Sequence, residues 1–415
     1  MDFTIGYSKE NINFSIPDKN LSAIIEPNPL DVPIGGRDEV RRSLEEPIGA
    51  PRLSEIVKPG EQVVIITSDI TRPVPSYDVI PPILDELSKA GVSDSDITVV
   101  FALGSHRKHT EEEQIKLVGQ EVYDRVRCID CDPSDTTLVG TSSVGTPYEV
   151  FTPVAKADRL ICVGNIEFHY FAGYSGGAKA VMPGVCNRAS IQSNHSMMIN
   201  DGAETGRIEG NPVRKDIDEV ASFRPIDYIV NVVLVAHKKI LKSYAGHYIE
   251  AHRAGCAFLD TLYKVPIREK GDIVIVSVGG YPKDLNLYQA QKGLDNAKFA
   301  VKDGGTIILC ASCKEGLGEG CFERWMTNYT PDERIENIRK DFQLGGHKAA
   351  AIAMVAKQAE ICLVCDLPED FVKSLYLTPF GSLDDALASA FAKYGEDAKV
   401  IVMPYAGSTL PTLAL

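Results

Sequence analysis

A recurring order of short apolar run, polar glycine-bearing loop and helix-forming stretch leaves this chain few folds to choose from. The first run is VVIITS from Val63; Asp69-Ile70-Thr71-Arg72-Pro73 follows it, then a helical stretch over 79–90 that Gly91 closes. The second, DITVVFA over 96–102, leads into Gly104-Ser105-His106-Arg107-Lys108-His109-Thr110 and a helix over 111–118. The third, Leu160-Ile161-Cys162-Val163, feeds straight into GNIEFHYFAGYSGGAKAVMPGVCNRASIQSNH over 164–195, with a helix expected over 188–198. Asp158 and Arg159 are charged, which sets the start of this third strand at Leu160. Strand, loop and helix in alternation describe an α/β sheet that carries its ligand loops at the carboxyl ends of its strands. If the three strands are neighbours, Arg72, His106 and His169 converge at one rim.

The chain has 415 residues, beyond the size at which one core usually keeps growing, so two domains are expected. After a strand over 228–236 and a helix over 248–263, the alternation starts afresh. Strands are expected at 272–277, 306–310, 361–364 and 399–403, with helices at 289–302, 332–341, 348–359 and 383–394. The fold class is therefore α/β in two domains, each a mostly parallel sheet flanked by helices. The boundary falls near residue 265, giving domains 1–265 and 266–395. The apolar, glycine-punctuated tail over 396–415 is expected to pack back on the first domain. The first sixteen residues alternate apolar and polar like an edge strand.

A net charge of −14 repels nucleic acid and anionic membranes, so neither is an expected partner. An anionic small substrate would need a local basic pocket. No run is apolar enough for long enough to span a bilayer, and the start lacks a signal peptide's basic and apolar regions, so a cytoplasmic location is expected. Ten cysteines include three C-x-x-C spacings, Cys128 with Cys131, Cys310 with Cys313 and Cys362 with Cys365. The last lies in ICLVC, a strand on which positions three apart face opposite ways, so buried reduced thiols are favoured over zinc or a disulfide.

Residues 164–195 have the composition of an active site. Gly173, Gly176 and Gly177 let the backbone approach a ligand closely. Gly173-Tyr174-Ser175-Gly176-Gly177-Ala178-Lys179 has the look of a P-loop but fails its pattern, because Ala178 and Ala180 flank the lysine where glycine and Ser or Thr are required. Lys179 could be a nucleophile, a covalent anchor or a plain surface lysine. His106 and His169 each follow a strand, which suits proton transfer or metal binding. His195 lies on the expected helix. His109, His237, His247, His252 and His347 have no supporting motif and read as structural or solvated. Arg72 offers a planar fork for a carboxylate, with Asp69 holding it or meeting a ligand hydroxyl. Tyr288, Gln289 and Lys292 fall on adjacent faces of a helix in the second domain, from which Lys292 would supply a cation to a bound acid.

Asp-x-Thr-Arg-Pro at 69–73, Gly-Ser-His-Arg-x-x-Thr at 104–110, His-x-x-Ala-Gly-Tyr-Ser-Gly-Gly-x-Lys at 169–179, His195 and Tyr-Gln-x-x-Lys at 288–292 resemble the nickel-pincer lactate racemase family, in the family's order and over nearly the whole chain. The resemblance implies a two-domain 2-hydroxyacid racemase with its active site in the cleft between the domains. It implies nickel held by a pyridinium-3,5-bisthiocarboxylate mononucleotide that is joined covalently to Lys179. The family's nickel ligand maps to His195 and its two acid/bases to His106 and His169. Asp69, Ile70, Thr71 and Arg72, with His169, match positions that contact the cofactor, while Arg72, Tyr288, Gln289 and Lys292 match positions at the substrate. Enzymes that build the cofactor would be maturation partners. D- and L-lactate are the expected substrates. Malate would need another cation, for which Arg107 and Lys108 are at hand; another 2-hydroxy acid, or a non-catalytic nucleotide- or metal-binding role on this fold, are the alternatives. Oligomeric state is not legible.

Overall fold

The structure, a computed structural model, describes every residue except Asp31, Ile34, Arg72, Ser105, Ala236, His237 and Leu415. In chain order its first strands are β1 (Asp2–Tyr7), β2 (Glu10–Ser15), β3 (Leu21–Ile24), β4 (Val63–Ser68), β5 (Ile97–Ala102) and β6 (Arg127–Asp130). A hairpin, β7 (Thr136–Thr141) and β8 (Pro147–Phe151), precedes β9 (Arg159–Asn165), the two-residue strands β10 (Phe168–His169) and β11 (Gly173–Tyr174), and then β12 (Tyr228–Leu234) and β13 (Ile240–Gly246). The rest are β14 (Lys264–Ile267), β15 (Gly271–Ser277), β16 (Val301–Cys310), β17 (Glu360–Val364), β18 (Thr378–Phe380), β19 (Val400–Met403) and β20 (Leu410–Leu413). The chain divides into two compact units, Leu30–Asp260 and Met1–Pro29 with Thr261–Leu415.

The sheet of the Leu30–Asp260 unit has the order β13-β12-β9-β4-β5-β6. Every neighbouring pair is parallel except β12 with β13. Val63, Val64, Ile65 and Ile66 are all buried, as a strand covered on both faces requires. From β4 the chain lays β5 and β6 on one side, then returns to lay β9, β12 and β13 on the other. The strand order therefore reverses between β4 and β9, and a ligand crevice is expected beyond the carboxyl ends of such a pair. β9 begins one residue before the expected start. Arg159 is tolerated there because its guanidinium reaches Glu61 at 2.8 Å and Asp227 at 3.0 Å.

In the second unit the order is β18-β17-β16-β15-β19-β3, parallel throughout. The tail expected on residues 1–265 instead supplies β19, paired with both β15 and β3, and β20, paired with β14. The reason is burial: Val400, Ile401, Val402 and Met403 are all inaccessible, and only an interior slot of a sheet gives such a strand two partners. The first 29 residues also belong here, with Ile5, Phe14 and Ile16 in the core beside Ile273, Ile275, Val400 and Val402. The boundary falls between Asp260 and Thr261, inside the helix Glu250–Tyr263. The helix expected over 289–302 ends at Ala297, because Val301 already pairs with Gly271 at the start of β16.

All ten cysteines are free thiols. Burial pushes Cys310 and Cys362 up to about 12 and Cys313 well above the usual thiol range, which keeps them protonated and unreactive. Among the described residues no helix is long and apolar enough to cross a membrane.

Candidate active site

β4 ends at Ser68 and delivers Asp69 to the point where the strand order reverses. Asp69 is 3% exposed, and its Oδ2 accepts a hydrogen bond from Nδ1 of His106 at 2.6 Å. The Thr71 hydroxyl donates to the same carboxylate at 2.9 Å and lies 3.2 Å from the His106 Nδ1. An ionised carboxylate only accepts, so Nδ1 of His106 carries the proton and the neutral ring keeps its lone pair on Nε2. This partnership is absent from the sequence reading, where Asp69 served Arg72 or a ligand. Arg72 lies outside the described residues.

β5 and β9 flank β4, so His106 and the loop bearing His169 leave the same edge of the sheet. That loop folds around one ring. Phe171 is 3% exposed; the His169 ring lies 4.5 Å from its centroid, the His195 ring 5.0 Å, and the Lys179 Nζ 6.0 Å. Three side chains that the sequence separates by 26 residues thus meet at a single aromatic. Nδ1 of His169 accepts the Ala172 N–H at 3.3 Å, which places the ring proton on Nε2, the opposite tautomer to His106.

His195 lies on the helix Arg188–Ser196 and is 8% exposed. Its Nδ1 bonds Oδ1 of Asn194 at 2.8 Å. The Asn194 amide cannot be turned round, because its Nδ2 donates to Asp216 Oδ2 at 2.7 Å and to the Val213 carbonyl at 3.2 Å. Nδ1 of His195 is consequently the donor, and the lone pair is on Nε2. A metal-ligating imidazole takes this form.

The loop is fixed from beneath by residues with no sequence signature. Arg214, 1% exposed, donates to the carbonyls of Ala172 and Tyr174, and Asn211 Nδ2 donates to the Phe171 carbonyl at 2.9 Å. The Gly177 N–H donates to Asn231 Oδ1 at 2.7 Å. His252 donates through Nε2 to the Ser175 carbonyl at 2.7 Å; burial first, then the nearby Arg214 and Arg253 guanidiniums, hold its pKa well below the usual range, so it stays neutral. These contacts revise the reading of the glycines as an approach for ligand. A Cβ on Gly173 would meet the Arg207 carbonyl oxygen at 2.0 Å, one on Gly176 the Asn231 Oδ1 at 2.7 Å, and one on Gly177 the His252 ring at 3.1 Å. On their Cβ side these glycines face protein.

Gly184 ties the two histidine loops together. Its N–H donates to the Lys179 carbonyl at 3.2 Å, its carbonyl accepts the Gly104 N–H at 2.9 Å, and the His106 N–H donates to the Leu103 carbonyl at 2.9 Å. A Cβ here would lie 2.2 Å from the Ala180 carbonyl oxygen and 3.0 Å from the Ala102 Cβ. Gly184→Ala is expected to cost about 1–3 kcal/mol through overpacking, read as a lower urea midpoint at unchanged slope. An unchanged midpoint would show that the backbone yields there freely.

In the other unit, Tyr288, Gln289 and Lys292 lie on the helix Leu287–Ala297, whose N-cap Asn286 accepts the Gln289 N–H at 3.0 Å. Gln289 and Lys292 are exposed and three positions apart, so they share a helix face. Lys348, missed in the sequence, donates to the Tyr288 carbonyl at 2.6 Å and sits 3.9 Å above its ring. Arg107 and Lys108, offered above to a dicarboxylate, are each engaged, Arg107 with Glu113 at 2.6 Å and Lys108 with Asp132 at 2.9 Å.

Residues 7–206 match the model of the lactate racemase N-terminal domain, and residues 267–410 that of the lactate racemase C-terminal domain. Lactate racemases of Thermoanaerobacterium thermosaccharolyticum and Lactiplantibacillus plantarum are each 34% identical to the chain, over 96% of its length and of theirs. The chain belongs to the lactate racemase family. The solved lactate racemase apoprotein from Thermoanaerobacterium thermosaccharolyticum superposes with a TM-score of 0.88 at 33% identity, covering 99% of this chain and 100% of that one. A crystal structure from Thermotoga maritima, at 18% identity and a TM-score of 0.63 over 91% of this chain and 98% of its own, shares the fold alone. As a member of the family the chain is an isomerase, a racemase.

Proposed function

We propose that this family member interconverts D- and L-lactate, with His106 and His169 as its acid/base pair, Lys179 as the covalent anchor of a nickel-pincer mononucleotide and His195 as the nickel ligand. The supporting observation is the grouping of His169, Lys179 and His195 around Phe171, at the sheet edge that also carries the Asp69–His106 pair. The residues fit such a group. His195 has its lone pair on Nε2, and imidazole suits nickel. Among the described residues no three His, Cys, Asp or Glu side chains form a metal site, so a metal at His195 would take its other donors from an organic ligand. A lysine amine stands at the same aromatic to hold that ligand. When bound, the group supplies an electron-poor acceptor for hydride from C2, whose proton is too weakly acidic beside a carboxylate to be removed as such.

The chain's own part is to move protons and to orient. His106 accepts the hydroxyl proton at Nε2, and the buried Asp69 carboxylate stabilises the imidazolium that results. His169, entering as the imidazolium with its Nδ1 released from the Ala172 N–H, returns its Nε2 proton to the oxygen of the 2-keto acid once its other face is presented, and is left neutral with the lone pair on Nε2. Reversal of the two roles serves the other enantiomer. Asp69, Ile70, Thr71 and Arg72 are assigned to the cofactor; Arg72, Tyr288, Gln289 and Lys292 are assigned to the substrate. Enzymes that build the cofactor are the maturation partners, and the cytoplasm the location.

The test is racemisation by protein co-expressed with cofactor-building enzymes, screened on lactate, 2-hydroxybutyrate, malate and phenyllactate. Lactate is expected to turn over fastest. Malate is expected to be poor, since Arg107 and Lys108 already hold carboxylates. A faster rate on another acid reassigns the substrate, and no turnover by protein shown to carry the adduct favours a binding role.

A further inference from the structure

β6 ends at Asp130, and His109 stands just before the helix Glu111–Val118, where its side chain is only 1% exposed. No motif marks this histidine, and it falls on one of the unspecified positions of the Gly-Ser-His-Arg-x-x-Thr segment. Its surroundings are nonetheless complete. Nδ1 bonds Asp130 Oδ1 at 2.6 Å, and the His109 N–H donates to Asp130 Oδ2 at 2.7 Å. Nε2 accepts the backbone N–H of Ile70 at 3.0 Å, and the ring packs edge-on against Phe101 at 5.2 Å. A carboxylate only accepts and an amide N–H only donates, so the imidazole is held in one tautomer, Nδ1–H, by both partners at once.

The two peptides joined in this way are the ones that carry the candidate acid/base. Ile70 adjoins Asp69, the acceptor of the His106 Nδ1–H; His109 lies on the same loop as His106, three residues on. Each loop leaves a different strand, β4 or β5, and Asp130 fixes the link to a third, β6. We propose that His109, held by Asp130, is a positioning residue for proton transfer: by accepting the Ile70 N–H it sets the Asp69 carboxylate against His106 Nδ1 and so fixes the His106 tautomer. The inference rests on His106 being an acid/base. His109 touches neither substrate nor cofactor in this role. A hydrophobic residue would fill its space but take the acceptor from the Ile70 N–H and the side-chain donor from Asp130 Oδ1, leaving that carboxylate the backbone N–H of residue 109.

Two amides that differ by one methylene separate this role from simple packing. His109→Asn keeps a donor where Nδ1 stands, toward Asp130, but is too short to reach the Ile70 N–H. His109→Gln places an oxygen where Nε2 stands and restores the link to Ile70. In uniformly folded apoprotein labelled with ¹⁵N-histidine, wild type and His109→Gln are expected to show His106 as a single Nδ1–H tautomer, and His109→Asn to show an averaged mixture. In loaded enzyme, His109→Asn is expected to lose about 10²-fold in kcat with little change in KM, the scale of a misplaced catalytic group, and His109→Gln to recover most of it. In a His106→Ala background the Asn substitution should cost nothing further. Equal behaviour of Asn and Gln, in tautomer and in kcat, overturns the proposal. So does a wild-type spectrum in which either His106 or His109 is not the Nδ1–H form, a result that needs no variant to fold. Normal turnover by His106→Ala alone instead overturns the acid/base reading, and leaves the tautomer measurement to decide the positioning on its own.

Discussion

Lys179→Ala protein, produced beside the cofactor-building enzymes, is expected to have the mass of its unmodified chain and to racemise lactate no faster than buffer. Wild type made in the same way should carry a mass adduct at Lys179. The expectation follows from how the amine is delivered. Lys179 sits in the short helical turn Gly177–Ala180, which is held on one side by Asn231 through the Gly177 N–H and on the other by the Gly184 N–H on the Lys179 carbonyl. The turn is thus fixed at both ends, and the amine meets the ring shared with His195 and His169. Lys179→Arg sharpens the test. It keeps the positive charge and much of the reach, but a guanidinium stays protonated and does not serve as the nucleophilic amine that is acylated. If charge were all that mattered, Arg would retain activity; a covalent anchor predicts that Arg fails as Ala does. An adduct that persists on Lys179→Ala protein would place the attachment elsewhere.

The inner strands of both six-stranded sheets were legible because parallel strands buried on two faces are written as near-continuous apolar runs, a form that 63–68, 97–102 and 228–234 keep despite polar residues such as Thr98 and Asn231, whereas the edge strands β13, β6, β18 and β3 were not expected. Sequence distance misled in two places. The tail could not be assigned to a sheet, since the run at 400–403 fits any interior slot and only pairing with β15 and β3 selects one. The glycines of 173–177 have positive φ as their type suggests, yet what crowds them is the Arg207 backbone, Asn231 and His252, residues 30 to 80 positions away that no local pattern brings near. Candidate side chains with chemical character of their own, the histidines and Lys179, stood out in the sequence. Their supports did not. Asn194, Arg214, Asp130 and Lys348 act through the hydrogen bonds they make in the folded chain, and an Asn or Arg in a helix looks the same whether it faces water or a buried carbonyl. Asp69 is the instructive case: its motif was visible, but a carboxylate beside Thr71 gives no sign that it will bond His106, 37 residues away, until β4 and β5 are laid side by side.

His106→Ala and His169→Ala, each in loaded enzyme, are expected to lower turnover by roughly 10²- to 10⁴-fold, the usual contribution of one general acid or base. The two losses should not be distinguishable by comparing enantiomers at steady state. Enantiomers have equal free energy, so the kcat/KM values for D- and L-lactate must remain equal in every variant, however asymmetric its site has become. The asymmetry appears in half of the reaction. Oxidation of one enantiomer to the 2-keto acid needs only the histidine that takes its hydroxyl proton, and the other histidine acts later. In acid-quenched single turnovers, then, His106→Ala should still form 2-keto acid from one enantiomer and not from the other, and His169→Ala should show the reverse preference. The surroundings add a further difference. The Asp69 carboxylate holds the Nδ1–H of His106 at 2.6 Å, whereas His169 receives the Ala172 N–H at its Nδ1. Asp69→Asn should therefore misplace His106 and impair its half-reaction, with little effect on the His169 half-reaction. Near-normal racemisation by both alanine variants would sink the two-base scheme; matching 2-keto acid yields from both enantiomers in both variants would sink the division of labour between them.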